Sequence, residues 1–205
     1  MRRERFSIVH THTPKAGLLG QLAAKAAGGA IIVNTIHGFY FHEHMSCSAR
    51  RFYIGLEKVS ASCSDLILSQ NLEDVQTALS EGICKPAQIR YLGNGIDVRM
   101  FDPSTVTASE EARLRSRFRI PAGAPVIGFV GRLAGIRKGF RDFLAAAKLL
   151  TKQFPAVRFL IVGEPDRGKP DALDEKAADH FGVAENCLFV GQISNIELPA
   201  VYKLM

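Results

Sequence analysis

Three cations crowd one short turn of this chain. Arg132, Arg137 and Lys138 lie between an apolar run, Val126, Ile127, Phe129 and Val130, and a segment in which Phe140, Phe143, Ala147 and Leu150 recur at helical spacing. Gly131 ends the run and Gly139 opens the helix. The run reads as a parallel strand covered on both faces. A turn at the carboxyl end of a parallel strand is where open α/β sheets bind ligands. A helix N-terminus adds unpaired N–H groups and a partial positive charge. With a guanidinium and an ammonium beside it, the natural guest is a phosphate or diphosphate. A solvated basic loop is the alternative, and the turn alone does not decide between them.

Histidine is the second concentration of chemistry: five of the six fall between His10 and His44. His10 and His12, two apart at a strand end, share one face. That spacing also begins some hydrolase metal sites, but a catalytic metal wants about three protein ligands and an open position. The strand ends downstream offer Ser69, Asn94 and Gly131, so no metal site is expected. His10, His42 and His44 read as polar residues satisfied by hydrogen bonds. His37 ends a strand and precedes Gly38, so the backbone turns beside it and the imidazole is expected to face a ligand cleft; an imidazole bonded to its own turn is the alternative. Lys15 follows His12-Thr13-Pro14 and either meets an anionic acceptor or is solvated. Asn94-Gly95 is a turn signal. Glu164 follows Gly163 at a strand end, as a nucleotide contact or as an exposed loop residue.

The elements that must hold these residues alternate. Phe6 to Val9 reads as a strand, and Thr13 as the cap of a helix that Pro14 opens and Gly28-Gly29 stops near Ala27. Ala30 to Ile36 is a strand. A helix runs from about Ser48 to Ser62 with Phe52, Leu56, Val59 and Cys63 on its inner face. Leu66 to Leu68 is a strand, Asn71 caps a helix ending at Glu81-Gly82, and Ile89 to Leu92 is a strand. Arg99 to Thr107, with Pro103, Ser104 and Thr105, reads as a linker. A helix at about Ser109 to Phe118 leads through Pro121 to Pro125 into the basic strand-turn-helix. Val157 to Val162 is a strand, Asp171 to Phe181 a helix, Leu188 to Val190 a strand, and a last helix starts near Ile196. Such βα alternation implies parallel sheets with right-handed crossovers. Two α/β lobes with a cleft between them are expected, residues 1–100 and 101–205.

Composition fits an ordinary globular chain, with 205 residues, 47% hydrophobic and 22% charged. No apolar run approaches the roughly 20 residues of a membrane span. The first residues, MRRERFSIVH, lack the apolar core of a signal peptide. Cys47, Cys63, Cys84 and Cys187 form no CxxC pair and read as reduced thiols of a cytoplasmic protein. The net charge of +6 suits a phosphorylated ligand or an anionic lipid surface. With no helix-turn-helix, RNA-recognition or zinc-finger pattern, nucleic acid is not expected as a partner.

The words around these residues resemble a known family. VGRL…KGF at Val130 to Phe140, NGID at Asn94 to Asp97, HTHTPKAGLLG at His10 to Gly20, HGFYFHEH at His37 to His44 and ILSQNLEDV at Ile67 to Val75 are similar to the group 1 (family 4) glycosyltransferases, in the same order. These are retaining, nucleotide-sugar-dependent enzymes of GT-B architecture. The resemblance implies an α/β fold of two Rossmann-like lobes with parallel sheets, an acceptor-side lobe first and a nucleotide-sugar lobe second. Both lobes look incomplete beside the family: its earlier glycine-rich loop has no counterpart here, and its acidic E…E motif would follow LPAVYKLM. The resemblance assigns the donor diphosphate to Arg132 and Lys138, with Gly131 and Gly139 shaping the turn. The family's Lys comes five places after the Arg; here Arg137 stands in that place, so the turn is one residue longer or Arg137 shares the task. It also places His37 near the transferred sugar, with His12, Lys15 and Asn94 lining the cleft.

The implied reaction is hexose transfer from a nucleoside diphosphate sugar to an acceptor hydroxyl, in polysaccharide or lipid-linked glycan assembly. No cofactor and no essential metal are expected, because fixed cations can stabilise the leaving diphosphate. The implied place is the cytoplasm, at the inner face of the membrane, with peripheral contact through the basic first lobe. The chain on its own is expected to turn over poorly or not at all, and a nucleotide-sugar epimerase of the same architecture and a non-catalytic nucleotide-binding fragment remain as alternatives.

Overall fold

The computed structural model describes residues 5–136 and 138–205. Arg137, one of the three cations of the turn, lies outside the described residues. The chain divides between Ile96 and Asp97 into two compact units.

The first unit carries four parallel strands, β1 (Ile8–His12), β2 (Ile31–Ile36), β3 (Leu66–Ser69) and β4 (Ile89–Tyr91), in the order β1-β2-β3-β4. Helices α1 (Pro14–Ala27), α2 (Cys47–Cys63) and α3 (Leu72–Ser80) make the crossovers. Sequence order equals spatial order, so each strand end lies beside the next. His12 pairs in register with Thr35, and Ile36 with Ser69. Asn71 caps α3 as expected, its side chain accepting from the Glu73 N–H. Thr13 does not cap α1. It has φ 66° and ψ 151°, a region almost reserved for glycine, and makes no side-chain cap bond. Pro14 in the first turn costs no hydrogen bond, because that position has no helical partner.

The inner face of α2 also differs from the expected one. Ile54, Ser60, Ala61 and Cys63 are buried, whereas Phe52 is 62% and Val59 48% exposed. Spacing alone placed Cys63 inside but misplaced Phe52 and Val59, because part of the buried face is polar. Gln21 is fully buried on α1; its amide N–H donates to Thr11 Oγ1 at 3.1 Å. Its carbonyl accepts from Ser60 at 2.7 Å and Ser64 at 3.0 Å. Thr11 in turn donates to Asn34 Oδ1 at 3.0 Å. This network ties β1 and β2 to α1 and α2 with its groups paired, the condition under which buried polar groups are tolerated. The apolar core lies beside it, among Ile36, Ile54, Ala61, Ile67, Ala78 and Ile89.

The second unit has three parallel strands, β5 (Val126–Val130), β6 (Arg158–Val162) and β7 (Cys187–Gly191), in the order β5-β6-β7. Its helices are α4 (Ala108–Arg117), α5 (Phe140–Gln153), α6 (Lys176–Phe181) and α7 (Leu198–Lys203). β6 feeds both layers. Leu160 and Val162 pack with Leu114 of α4 and Val201 of α7, while Phe159 and Ile161 pack with Phe140 and Leu144 of α5 and Ala178 of α6. β5 lies at the edge of this three-stranded sheet, with Ile127 and Val130 more than a third exposed, yet both of its faces carry packing, Val126 against the Leu114 and Val201 layer and Phe129 against the Phe140 and Leu144 layer. Its continuous apolar run does not distinguish an edge from a centre.

Two further expectations are corrected. Arg99 to Thr107 is not a free linker. Pro103–Thr105 form a 3₁₀ turn, Val106 is buried in the unit's core, and Lys203 Nζ donates to the Val106 carbonyl at 2.6 Å. The helix expected from Asp171 begins only at Lys176, because the backbone before it pairs with the basic turn: the Gly135 N–H donates to the Asp171 carbonyl at 2.7 Å and the Leu173 N–H to the Leu133 carbonyl at 2.9 Å.

Candidate functional site

In the second unit all three strand ends run into glycines, Gly131, Gly163 and Gly191, whose backbones are stitched together. The Gly131 N–H donates to the Val162 carbonyl at 2.9 Å, and the Gly163 N–H to the Gly191 carbonyl at 2.8 Å. A Cβ on Gly163 would sit 1.9 Å from the Gly131 carbonyl oxygen, and Gly163 has φ 135°, so only glycine fits. The result is a side-chain-free floor at the carboxyl edge of the sheet, where α/β folds take ligands.

Arg132 stands beside this floor. Its Nη1 donates to Asp166 Oδ1 at 3.3 Å; the Arg132 side chain is 61% exposed and that of Asp166 only 12%. The largely covered carboxylate aims the guanidinium, and the contact uses one of its five N–H donors. Lys138 is exposed on the same turn. Gly139 takes the left-handed conformation, φ 68°, that lets the turn enter α5. The start of α5 is less open than the sequence implies. The Phe140 N–H donates to the Ala134 carbonyl and the Arg141 N–H to the Gly135 carbonyl, each at 3.3 Å, because the turn curls back over the helix end. Two of the donors expected for an anion are thus engaged, and the side-chain cations carry more of the site. Exposed Glu164 gives its carbonyl to the Leu133 N–H at 2.9 Å and borders a cavity of about 430 Å³ with Gly163, Arg167, Asp174, Lys176 and Gly191.

In the first unit the structure joins His12 and His37. His12 Nδ1 lies 2.9 Å from His37 Nε2, and His37 Nδ1 lies 2.6 Å from Gln70 Oε1. His10 packs against His12 with ring centroids 4.3 Å apart and the rings tilted by 38°, and it bonds Thr35 Oγ1 at 2.8 Å. Partial burial, and then the neighbouring His12 and His37, hold the His10 imidazole below its ordinary pKa. His42 and His44 lie 6.2 Å apart and away from this trio's bonding. Lys15 is not joined to the trio by any described bond; it lines a separate groove of about 310 Å³ with Tyr40, Phe52, Tyr53, Leu56 and Glu57. Asn94 is exposed in the irregular stretch after β4. Among the described residues, no group of three or more His, Cys, Asp or Glu side chains is arranged to hold a metal.

Three residues escape a reading of the sequence alone: Gln70, Asp166 and Glu57. Gln70 directly follows β3, as His37 directly follows β2, and neighbouring parallel strands bring such positions together. That signal was present in the strand order. Asp166 is a loop carboxylate 34 positions from Arg132, and nothing in the spacing couples them. Glu57 sits on α2 between the aromatic groove and a small recess reaching Thr13 and His37. Burial pushes its carboxyl above the usual carboxylate range.

Comparison with known proteins shows the family. The family model described as Glycosyltransferase Family 4 matches residues 1–100, and that described as Glycosyl transferases group 1 matches residues 124–205. Among curated relatives, the UDP-Gal:alpha-D-GlcNAc-diphosphoundecaprenol alpha-1,3-galactosyltransferase of Escherichia coli is 31% identical over 166 residues, covering 80% of this chain and 42% of that protein. The phosphatidyl-myo-inositol mannosyltransferase of Mycolicibacterium smegmatis is 30% identical over 199 residues, covering 93% of this chain and 43% of its own length. The chain therefore spans less than half the length of these relatives. Among solved structures, Anabaena Alr3699/HepE in complex with UDP and glucose superposes with a TM-score of 0.75 at 20% identity, over 97% of this chain and 50% of that one. That likeness shows the fold, which is of GT-B type.

Proposed function

Because the chain belongs to the group 1 glycosyltransferases, we propose that it transfers a hexosyl group from a nucleoside diphosphate sugar to an acceptor hydroxyl, with retention at the anomeric carbon. The observation that carries this reading is the aimed guanidinium of Arg132 beside the glycine floor. Departure of the diphosphate concentrates negative charge on its oxygens. Arg132 presents planar donors and Lys138 a point charge, and fixed cations of this kind are commonly the largest catalytic contribution. They would do the work that a divalent metal does elsewhere. The cavity bordered by Glu164 would take the nucleoside. Front-side attack by the acceptor hydroxyl, its proton passing to the leaving diphosphate, would give retention without a covalent enzyme intermediate.

The acceptor class follows from the relatives. The Escherichia coli protein is named for a sugar on a polyprenyl diphosphate, and we place the acceptor among lipid-linked or polymeric glycans. Peripheral attraction of basic side chains to an anionic surface would bring the protein to such an acceptor. No helix of the described residues is long and apolar enough to cross a membrane. The test is a radiolabelled-sugar assay over a panel of nucleotide sugars and lipid-linked acceptors. Transfer that Arg132→Ala slows by about two orders of magnitude supports the reading. An unaffected Arg132→Ala protein removes Arg132 from the site, and donor conversion without any acceptor shows an epimerase instead.

A further inference from the structure

The hydrogen bonds of Gln70, His37 and His12 fix which imidazole nitrogen of the first unit is left over for a ligand. Gln70 Oε1 carries no hydrogen, so the proton in its 2.6 Å contact belongs to His37 Nδ1. A neutral His37 then has a lone pair at Nε2. It accepts, at 2.9 Å, the proton carried by His12 Nδ1. Both nitrogens of His37 are consumed, and the lone pair of the chain emerges at His12 Nε2, which has no hydrogen-bond partner among the described residues. We propose that Gln70, His37 and His12 form one directed hydrogen-bond chain that presents His12 Nε2 to a sugar hydroxyl, with His37 and Gln70 as positioning residues. The substrate class rests on the glycosyltransferase reading; the chain of bonds does not.

The surroundings support it. The three residues sit at the carboxyl ends of adjacent parallel strands, so the sheet itself sets their spacing. Gln70 is anchored from behind, since Ser69 Oγ donates to the Asn71 carbonyl at 3.0 Å and accepts from the Asn71 N–H at 3.2 Å. His12 is followed by the strained Thr13, φ 66°, an outlier of the kind that accumulates where a side chain must be held in place. His10, packed against His12 with the rings tilted, is committed to Thr35 and leaves His12 Nδ1 to His37.

Imidazole ¹⁵N spectra of this chain at pH about 8.5, above the ordinary histidine range, report each tautomer directly. The expected result is Nδ1–H on both His37 and His12. Gln70→Leu should release His37 into mixed tautomers and alter His12, which Gln70 does not touch, while backbone amide signals elsewhere stay put. Gln70→Glu, which keeps an acceptor, should preserve the wild-type pattern. If Gln70→Leu does not fold, the wild-type and Gln70→Glu spectra still decide. Nε2–H on His37, or a His12 signal indifferent to Gln70→Leu, overturns the chain. In the transfer assay, His12→Ala should cost more than Gln70→Leu, whose loss should be about tenfold in kcat, the order of one hydrogen bond. A harmless His12→Ala beside a damaging His37→Ala overturns the assignment of the contact. Absence of transfer by the wild-type chain, with the expected tautomers in place, counts against the glycosyltransferase reading and leaves the hydrogen-bond chain standing.

Discussion

Glu57 shows what a single residue reveals about cost. Burial raises its carboxyl pKa, and among the described residues no cation forms an ion pair with it to offset that. Between the unfolded and the raised folded value the folded state binds more protons, so the contribution of Glu57 to stability falls as pH rises through that window. Glu57→Gln removes the charge. The variant should match the wild type near pH 4 and melt higher at pH 7, by on the order of one to two degrees, in thermal unfolding followed by circular dichroism. A carboxylate kept at such a cost beside Tyr40, Tyr53 and Lys15 is expected to serve ligand binding. Transfer by Glu57→Gln should therefore drop even as its melting temperature rises. Equal melting temperatures at both pH values would show that the charge is not destabilising.

At the scale of elements, the join between strand and turn matters most. Gly131, Gly163 and Gly191 let three strand ends meet without side chains, and the Arg132 turn grows out of the first. Gly163→Ala must push the Gly131 backbone away and hold φ 135° with a Cβ attached. It should cost about 2 kcal/mol or more in urea unfolding. Gly95→Ala, where a Cβ meets nothing within 4 Å and φ is ordinary, should cost little. The same close packing joins Gly20 of α1 to β1, where a Cβ would lie 2.9 Å from Thr11 Cγ2. Helix α1 thus carries both the glycine contact and the Gln21 network that hold β1, and with it His12, in register.

At the scale of the molecule, each unit has its own core. The second draws on Val106, Leu114, Phe118 and Ile120 before its first strand begins, and Phe101 packs edge-on against Tyr202 at 5.9 Å. The segment after Ile96 therefore belongs to the second unit. Residues 97–205 expressed alone should give a dispersed amide spectrum and cooperative unfolding. Trimming the same piece to 124–205 should abolish both, since it removes α4 and one wall of the core. A folded 124–205 piece would show that wall to be dispensable.

How much of this was legible beforehand depends on range. The sequence by itself determined the parallel α/β class, the Pro14 and Asn71 helix starts, the basic turn at Arg132 and Lys138, and the family. Each rests on spacing within a few residues or on words quoted in order. It did not reveal that β5 lies at an edge of its sheet, because strand order depends on pairing partners far along the chain and not on the apolar run itself. It misread the face of α2 and the span before α6, where buried polar groups and a paired loop backbone override periodicity. Above all it named His37 and His12 without joining them, and it missed Gln70. Only the tertiary structure set Gln70, His37 and His12 at adjacent strand ends and Asp166 against Arg132. Hydrogen bonds act over about 3 Å between residues that stand 25 to 34 positions apart, and no local spacing encodes that approach.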